Sequence, residues 1–198
     1  SLRKEDSSSM RHSKVAALGA VLILAGCTST GSRTDVSVDY YDVKGTSFAQ
    51  VDRQIALHGP NVKGVGKAIA STNIRMLPNV SFSILNGKCY VTKAKIRVKA
   101  DVTLPRLSDR SKAKKDLQGA FSNIERYAQW HEAVHVSIAD KHAEMAETRI
   151  RNLQPRANCP DLRSDAVREF EKVMVRHRKQ QLKFDADEQR RFAKARQS

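Results

Sequence analysis

The stretch His131-Glu132-Ala133-Val134-His135 carries the residue types and spacing most able to do chemistry in this chain. Two histidines four apart sit one turn apart on one helix face, so both imidazoles can reach a single Zn²⁺. The glutamate between them is carried beside that ion, where it can take a proton from a polarised water. For a chain of this composition the pattern arises by chance roughly 0.007 times. The competing reading is a pair of half-buried helix histidines with an exposed glutamate. A zinc peptidase also needs a third protein ligand and an open position for water. His142 lies on the same stripe, but seven residues beyond His135 is ~10.5 Å along a helix axis, too far to share the ion. It reads as a packed histidine. The longer HExxHxxGxxH arrangement is absent, because no glycine follows to turn the chain.

Two helices must position these groups. From about Ser111 to before Pro155 the apolar period is helical, with Phe121, Ile124, Ala128, His131, His135, Ile138, His142 and Met145 on one stripe. After Cys159-Pro160 a second stripe runs through Leu162, Ala166, Phe170, Val173, His177, Gln181 and Phe184. The short connection makes the pair an antiparallel hairpin. If the helices end and begin near Ile150 and Asp161, position 135 faces about 176 and position 131 about 180. On that register His177 is the third-ligand candidate, with Asp185 the alternative and Glu188 nearby. The lean between His177 and Asp185 is slight, and a core histidine bonded between helices is the bland reading of His177. Glu144 and Glu147 read as surface charges.

The preceding half is β-rich. Val36 to Val43 reads as a strand, Gly45 breaks it, and Thr46 is placed to cap a helix with Phe48, Val51 and Ile55 on its apolar face. Gly59-Pro60 ends that helix. A strand follows around Ala68 to Met76, and Asn86-Gly87 suits a type I′ hairpin turn. Beyond it Ala94, Ile96, Val98, Ala100, Val102 and Leu104 alternate with Lys93, Lys95, Arg97, Lys99, Asp101 and Thr103. That is a half-buried strand with a wet, basic outer face, and Pro105 is expected to end the sheet.

The N-terminus sets the compartment. Met10-Arg11-His12-Ser13-Lys14 is basic, and the apolar run Val15 to Gly26 is too short to span a bilayer but suits a signal-peptide core. The run ends Leu24-Ala25-Gly26-Cys27, which resembles the lipobox of bacterial lipoproteins and implies cleavage before Cys27 and lipidation of its thiol. Residues 1–9 precede Met10 and are set aside. Thr28, in place of an aspartate, points to outer-membrane sorting with the domain facing the periplasm. Cys89 and Cys159 then remain and read as one disulfide in an exported chain. Lys+Arg 36 against Asp+Glu 21 gives +15 over 198 residues, which favours anionic surroundings without choosing among them. Aromatics at 6% leave no broad platform for stacking bases, and no nucleic-acid partner is expected of an exported chain.

Taken as an ordered set, these residues resemble the bacterial family of predicted secreted Zn-dependent proteases, domain of unknown function 922. The likeness rests on Tyr40-Tyr41-Asp42-Val43, Gly45-Thr46, Gly59-Pro60, Thr72, Gly87-Lys88-Cys89, Leu104-Pro105-Arg106, His131-Glu132-x-x-His135 and Cys159. It implies an exported α+β domain with a zinc site. The resemblance also implies a closing Tyr-Asp-x-x-Thr-x-His-Gly element. This chain keeps Asp185 but holds Glu188, Arg190 and Arg191 at the Thr, His and Gly positions. An arginine beside the site would repel a metal.

The resulting expectation is an α+β fold. An N-terminal antiparallel β-sheet with a short helix packs against a long C-terminal antiparallel helix hairpin carrying HExxH. Residues 1–26 are upstream residues and signal peptide, 27–35 a flexible tether, 36–186 a single domain and 187–198 a charged tail. The leading function is a lipid-anchored zinc metallopeptidase acting on peptide or protein substrates in the cell envelope, with Zn²⁺ held by His131, His135 and His177 or Asp185, and with Glu132 as general base. The alternatives are a catalytically silent envelope lipoprotein on the same scaffold and, behind it, a polyanion-binding module.

Overall fold

A computed structural model describes residues 33–62 and 66–195, all within one compact unit that begins at Ser32. The signal peptide and the Cys27 lipidation site expected from the sequence lie outside the described residues. Among those residues no helix is long and apolar enough to cross a membrane.

The chain runs β1 (Thr34–Val43), α1 (Phe48–His58), a minimal ladder of β2 (Asn61–Val62) and β3 (Gly66–Lys67), β4 (Ser71–Leu85), β5 (Lys88–Leu107), α2 (Lys115–Arg151) and α3 (Cys159–Ala195). The α+β class expected from the sequence is the one observed. The main sheet has the order β1-β5-β4. It is mixed, not wholly antiparallel: β4 and β5 form a long antiparallel hairpin, while β1 runs parallel to β5. The reason is the α1 connection. β1 ends beside Leu107, and β4 starts beside Thr103, so both ends of the connection lie at one end of β5 and the two strands flank it in opposite directions.

Local chemistry explains the punctuation. Ser47, one residue beyond the expected Thr46, caps α1 by accepting from the Gln50 N–H, while the Gln50 side chain accepts from the Thr46 N–H. Asn86 and Gly87 both take positive φ, 50° and 72°, as a type I′ turn requires. Pro105 does not end the sheet. It stays in β5 opposite Tyr41, beyond the point where β4 has stopped pairing, so no ladder on that side is interrupted.

The core forms where β5 presents Ala94, Ile96 and Val98 to a small-residue stripe of α2, namely Ala139, Ala143 and Ala146, closed by Ile150, Ala166 and Val173. Alanines at these positions let α2 lie close against the strand. A second cluster ties α1 to the start of α2 through Val43, Val51, Leu107, Leu117 and Phe121. The basic outer face of β5 is exposed as its alternation implies.

Glu147 departs from expectation. It is 2% exposed, and Oε1 accepts from the Ile96 backbone N–H at 2.8 Å. Val98 N–H bonds to the Arg33 carbonyl just ahead of β1. Two residues back along β5, Ile96 N–H lies past the end of β1, and Glu147 supplies the missing acceptor. Arg33 at 3.3 Å and Lys95 at 3.9 Å balance its charge.

α2 and α3 are antiparallel, as the cross-contacts Tyr127–Glu188, His135–Gln181, His142–His177 and Arg149–Glu169 show. Position 135 faces 181, not 176. The connection explains the slip: Cys89 and Arg156 exchange two backbone hydrogen bonds, and Cys89 is disulfide-bonded to Cys159. The first turns of α3 are thus held on β5, overhanging the end of α2. The far end also differs from expectation, since residues 187–195 are the last turns of α3 and Glu188 is buried.

Glu147→Ala should lower unfolding stability by about 3 kcal/mol, because it leaves a buried N–H unpaired and removes the carboxylate that Arg33 and Lys95 share. Glu147→Gln, which keeps the acceptor, should fall between. Urea melts of the three proteins measure the order, and an alanine variant as stable as the parent would contradict this role. Reduction of Cys89–Cys159 should cost about 4 kcal/mol by the chain-entropy relation for its 70-residue separation.

Candidate metal centre

His131 and His135 face α3 from the middle of α2, and Asp185 meets them from α3. Among the described residues these three form the group whose ligand atoms all lie within 4.8 Å of one another. His131 Nε2 and His135 Nε2 are 3.1 Å apart, and Asp185 Oδ1 stands 3.2 and 3.0 Å from them. The edge of a tetrahedral zinc site is ~3.3 Å for the usual ~2.0–2.1 Å bonds. The triangle therefore has nearly the size such an ion needs.

The surrounding hydrogen bonds fix which atoms carry protons. The Gln181 amide donates to the His135 carbonyl at 3.0 Å and to His177 Nε2 at 2.9 Å. Its oxygen is left to accept, so His135 Nδ1–H donates to Gln181 Oε1 at 2.6 Å. Tyr127 OH donates to Glu188 Oε2 at 3.0 Å, so its oxygen accepts from His131 Nδ1–H at 3.3 Å. In the neutral imidazoles both Nε2 atoms then carry lone pairs. Those two lone pairs converge with a carboxylate oxygen, a donor set that suits a cation. The residues present fit a divalent metal of the zinc type, with Gln181 and Tyr127 as orienting partners.

Glu132 turns from α2 toward β4, into the cavity that the histidines also line. It is 5% exposed and accepts from Thr72 Oγ1 of β4 at 2.6 Å. Thr72, Glu132 and the three ligand candidates share a cavity of about 420 Å³ bounded by β4, α2 and α3, with Ala68, Ala70, Ile74 and Phe192 adding apolar wall. Phe184 packs its ring on both imidazoles, at 4.8 and 5.2 Å between centroids.

His177 stays outside the triangle. It lies against His142, ring centroids 5.5 Å apart, and His142 Nδ1 bonds to the Ile138 carbonyl. His177 takes its hydrogen bond from Gln181 and leaves Nδ1 buried without a partner. Burial, with His142, Arg178 and His135 adding, pulls it down to about 4.

The two arginines feared for the site are turned to carboxylates. Arg190 pairs with Asp187, and Arg191 with Glu188 at 2.7 Å while lying over the Phe192 ring. The Arg191 guanidinium, helped by Tyr127 OH, holds the Glu188 carboxyl below its ordinary range. Burial first and Glu188 second push the Tyr127 hydroxyl up to about 12.

Residues 38–192 match the family described as "Bacterial protein of unknown function (DUF922)". The chain belongs to that family. No curated protein and no solved structure matches it. The match spans the triangle, Glu132 and both cysteines of the disulfide. It covers the orienting residues Tyr127 and Gln181 too, whose roles the sequence reading did not assign. Tyr127 precedes His131 by four residues, and that spacing was the available signal; Gln181 reaches His135 from the other helix, which no spacing announces.

His177 makes stability sensitive to acid. Below about pH 6.5 the unfolded chain takes up a proton that the folded histidine refuses until about pH 4, so stability falls across that window as pH drops. Thermal midpoints recorded from pH 7 to pH 4 should fall, and His177→Gln should flatten the slope. An unchanged slope would show that other groups carry it.

Proposed function

We propose that this protein is an exported zinc metallopeptidase, anchored by a lipidated Cys27 and facing the periplasm from the outer membrane. The observation that carries the reading is the convergence of His131 Nε2, His135 Nε2 and Asp185 Oδ1 within 3.2 Å, beside Glu132 in one cavity. The Cys89–Cys159 bond supports an oxidising compartment.

His131, His135 and Asp185 would hold Zn²⁺. When bound, the ion supplies Lewis acidity to a substrate carbonyl and to a water. Glu132 takes the proton of the attacking water and delivers it to the departing amine, so one carboxylate serves as base and then acid. Thr72 Oγ1 holds that carboxylate through one oxygen. Tyr127 and Gln181 keep both Nδ1 atoms protonated and both Nε2 atoms ready for the metal. The apolar wall around Ala70, Ile74 and Phe192 suits a substrate with an uncharged side chain beside the scissile bond.

Metal analysis of the mature protein should find about one zinc per chain. Glu132→Gln should reduce peptidase activity by at least ~100-fold while zinc stays bound. His131→Ala, His135→Ala and Asp185→Ala should each lose the metal, while His177→Ala should keep it. Loss of zinc on changing His177 but not Asp185 would overturn the ligand set. A wild-type protein that binds no zinc at pH 7 would leave the silent envelope scaffold as the reading. Tyr127→Phe should weaken zinc about 10-fold by removing the acceptor for His131 Nδ1–H. Cys27→Ala should release the protein from the membrane fraction.

A further inference from the structure

The α2–α3 pair has a second concavity that the zinc site does not use. It lies between the helices and includes no strand residue in its lining, whereas the metal-centre cavity is closed by β4. Lys141 of α2 and Arg176, Lys179 and Lys183 of α3 line it, over a floor that includes Val134 and Phe184. Asp187 is the one acidic residue in that lining, and it is already engaged by Lys183 and Arg190. Beside these cations α3 exposes Val175 and Leu182, 56% and 70% accessible. Positions 175, 179 and 182 share one helix face. Cations flanking exposed aliphatic side chains make the composition of a surface that meets a lipid headgroup layer.

The path of the chain favours a membrane as the occupant. Thr34 Oγ1 bonds to Asp140, and Arg33 pairs with Glu147, so the start of β1 is fastened to α2 at the residue before Lys141. Arg33 is six positions after Cys27, at most ~22 Å of extended chain. A lipid on Cys27 would therefore keep this flank of α2, and the groove about one helix width away, close to the bilayer.

We propose that the groove formed by Lys141, Arg176, Lys179 and Lys183 docks the domain on an anionic phospholipid surface. The groove has no β4 residue in its lining, so β4 is not part of this docking surface. The orientation argument rests on the anchoring reading above, but the docking itself is testable without the lipid.

The experiment uses the mature chain from Thr28 onward, which keeps the compact unit and lacks the lipid-bearing cysteine. It is sedimented at low salt with vesicles of phosphatidylcholine containing phosphatidylglycerol and, separately, with phosphatidylcholine alone. Binding is expected only to the anionic vesicles and should weaken as salt is raised. K141E/R176E/K179E should lower the partition at least about 100-fold. K88E/K93E/R97E changes the net charge equally on the outer sheet face and should stay within about threefold of the parent. Circular dichroism melts establish that both variants fold, and K141Q/R176Q/K179Q, the milder change, should still lose about tenfold. No binding to anionic vesicles, equal binding to neutral ones, or equal loss in the sheet-face control would each overturn the proposal. Retention of the full protein in the membrane fraction after Cys27→Ala would overturn the anchoring reading alone, because the vesicle assay on the chain without that cysteine decides the docking separately.

Discussion

The register between α2 and α3 decides which side chain meets His131 and His135. Two long helices could slide by a turn and still bury their apolar stripes, because Ala, Val and Leu recur at the helical period. What removes that freedom is covalent and lies at the far end of the hairpin: Cys159 is bonded to Cys89, and Arg156 exchanges two backbone hydrogen bonds with the same residue. With the first turns of α3 fixed on β5, Asp185 arrives opposite the histidine pair and His177 arrives opposite His142. One turn of slip would bring Gln181 where Asp185 stands, replacing a carboxylate with an amide. The disulfide therefore sets the chemistry of a site many turns away, through rigid helices.

The site is also an electrostatic arrangement in a strongly basic molecule. A cationic surface disfavours a bound dication, yet the triangle sits among carboxylates: Asp185 within it, Glu188 behind Tyr127, and Glu132 across the cavity. Arg191 is spent on Glu188 and lies over an aromatic ring. The chain His131–Tyr127–Glu188–Arg191 thus has alternating character, and each link sets the proton of the next. Arg191 places negative charge on Glu188, Glu188 claims the Tyr127 hydroxyl proton, and the tyrosine oxygen is left to claim the His131 proton from Nδ1.

Much of the architecture was legible because it follows periods. Alternation from Lys93 to Leu104 gave the central strand, Asn86-Gly87 gave the hairpin, and the two stripes gave the helices and their antiparallel sense. The parallel pairing of β1 was not legible, since it depends on where a connection crosses the sheet and not on the strand's own residues. Glu147 misled because a charged residue on a helix is usually solvated; its burial follows from β1 ending before Ile96, a three-dimensional fact. For the metal centre, HExxH was readable from spacing alone, but the choice between His177 and Asp185 required a register that sequence separation does not specify. Counting inward from a presumed tight turn put His177 level with the pair. The actual turn is spread out against β5.

The last turns of α3 show how a departure from a family pattern can be absorbed. The resemblance implies a Thr, a His and a Gly after Asp185, and a glycine there would be a natural end to a helix. Glu188, Arg190 and Arg191 instead let α3 continue through Ala195. Continuation places Glu188 one helical turn from Asp185, on the same face, where it meets Tyr127. The helix that runs on through these turns delivers a carboxylate behind His131. Three candidate ligand atoms converge without a residue at 190, and three is the number a catalytic zinc site takes from its protein while keeping a position open. The same continuation brings Phe192 to the cavity wall and lays it edge-on against Tyr127. These last turns thus bear on how His131 is oriented and how the cavity beside the candidate ligand triangle is lined.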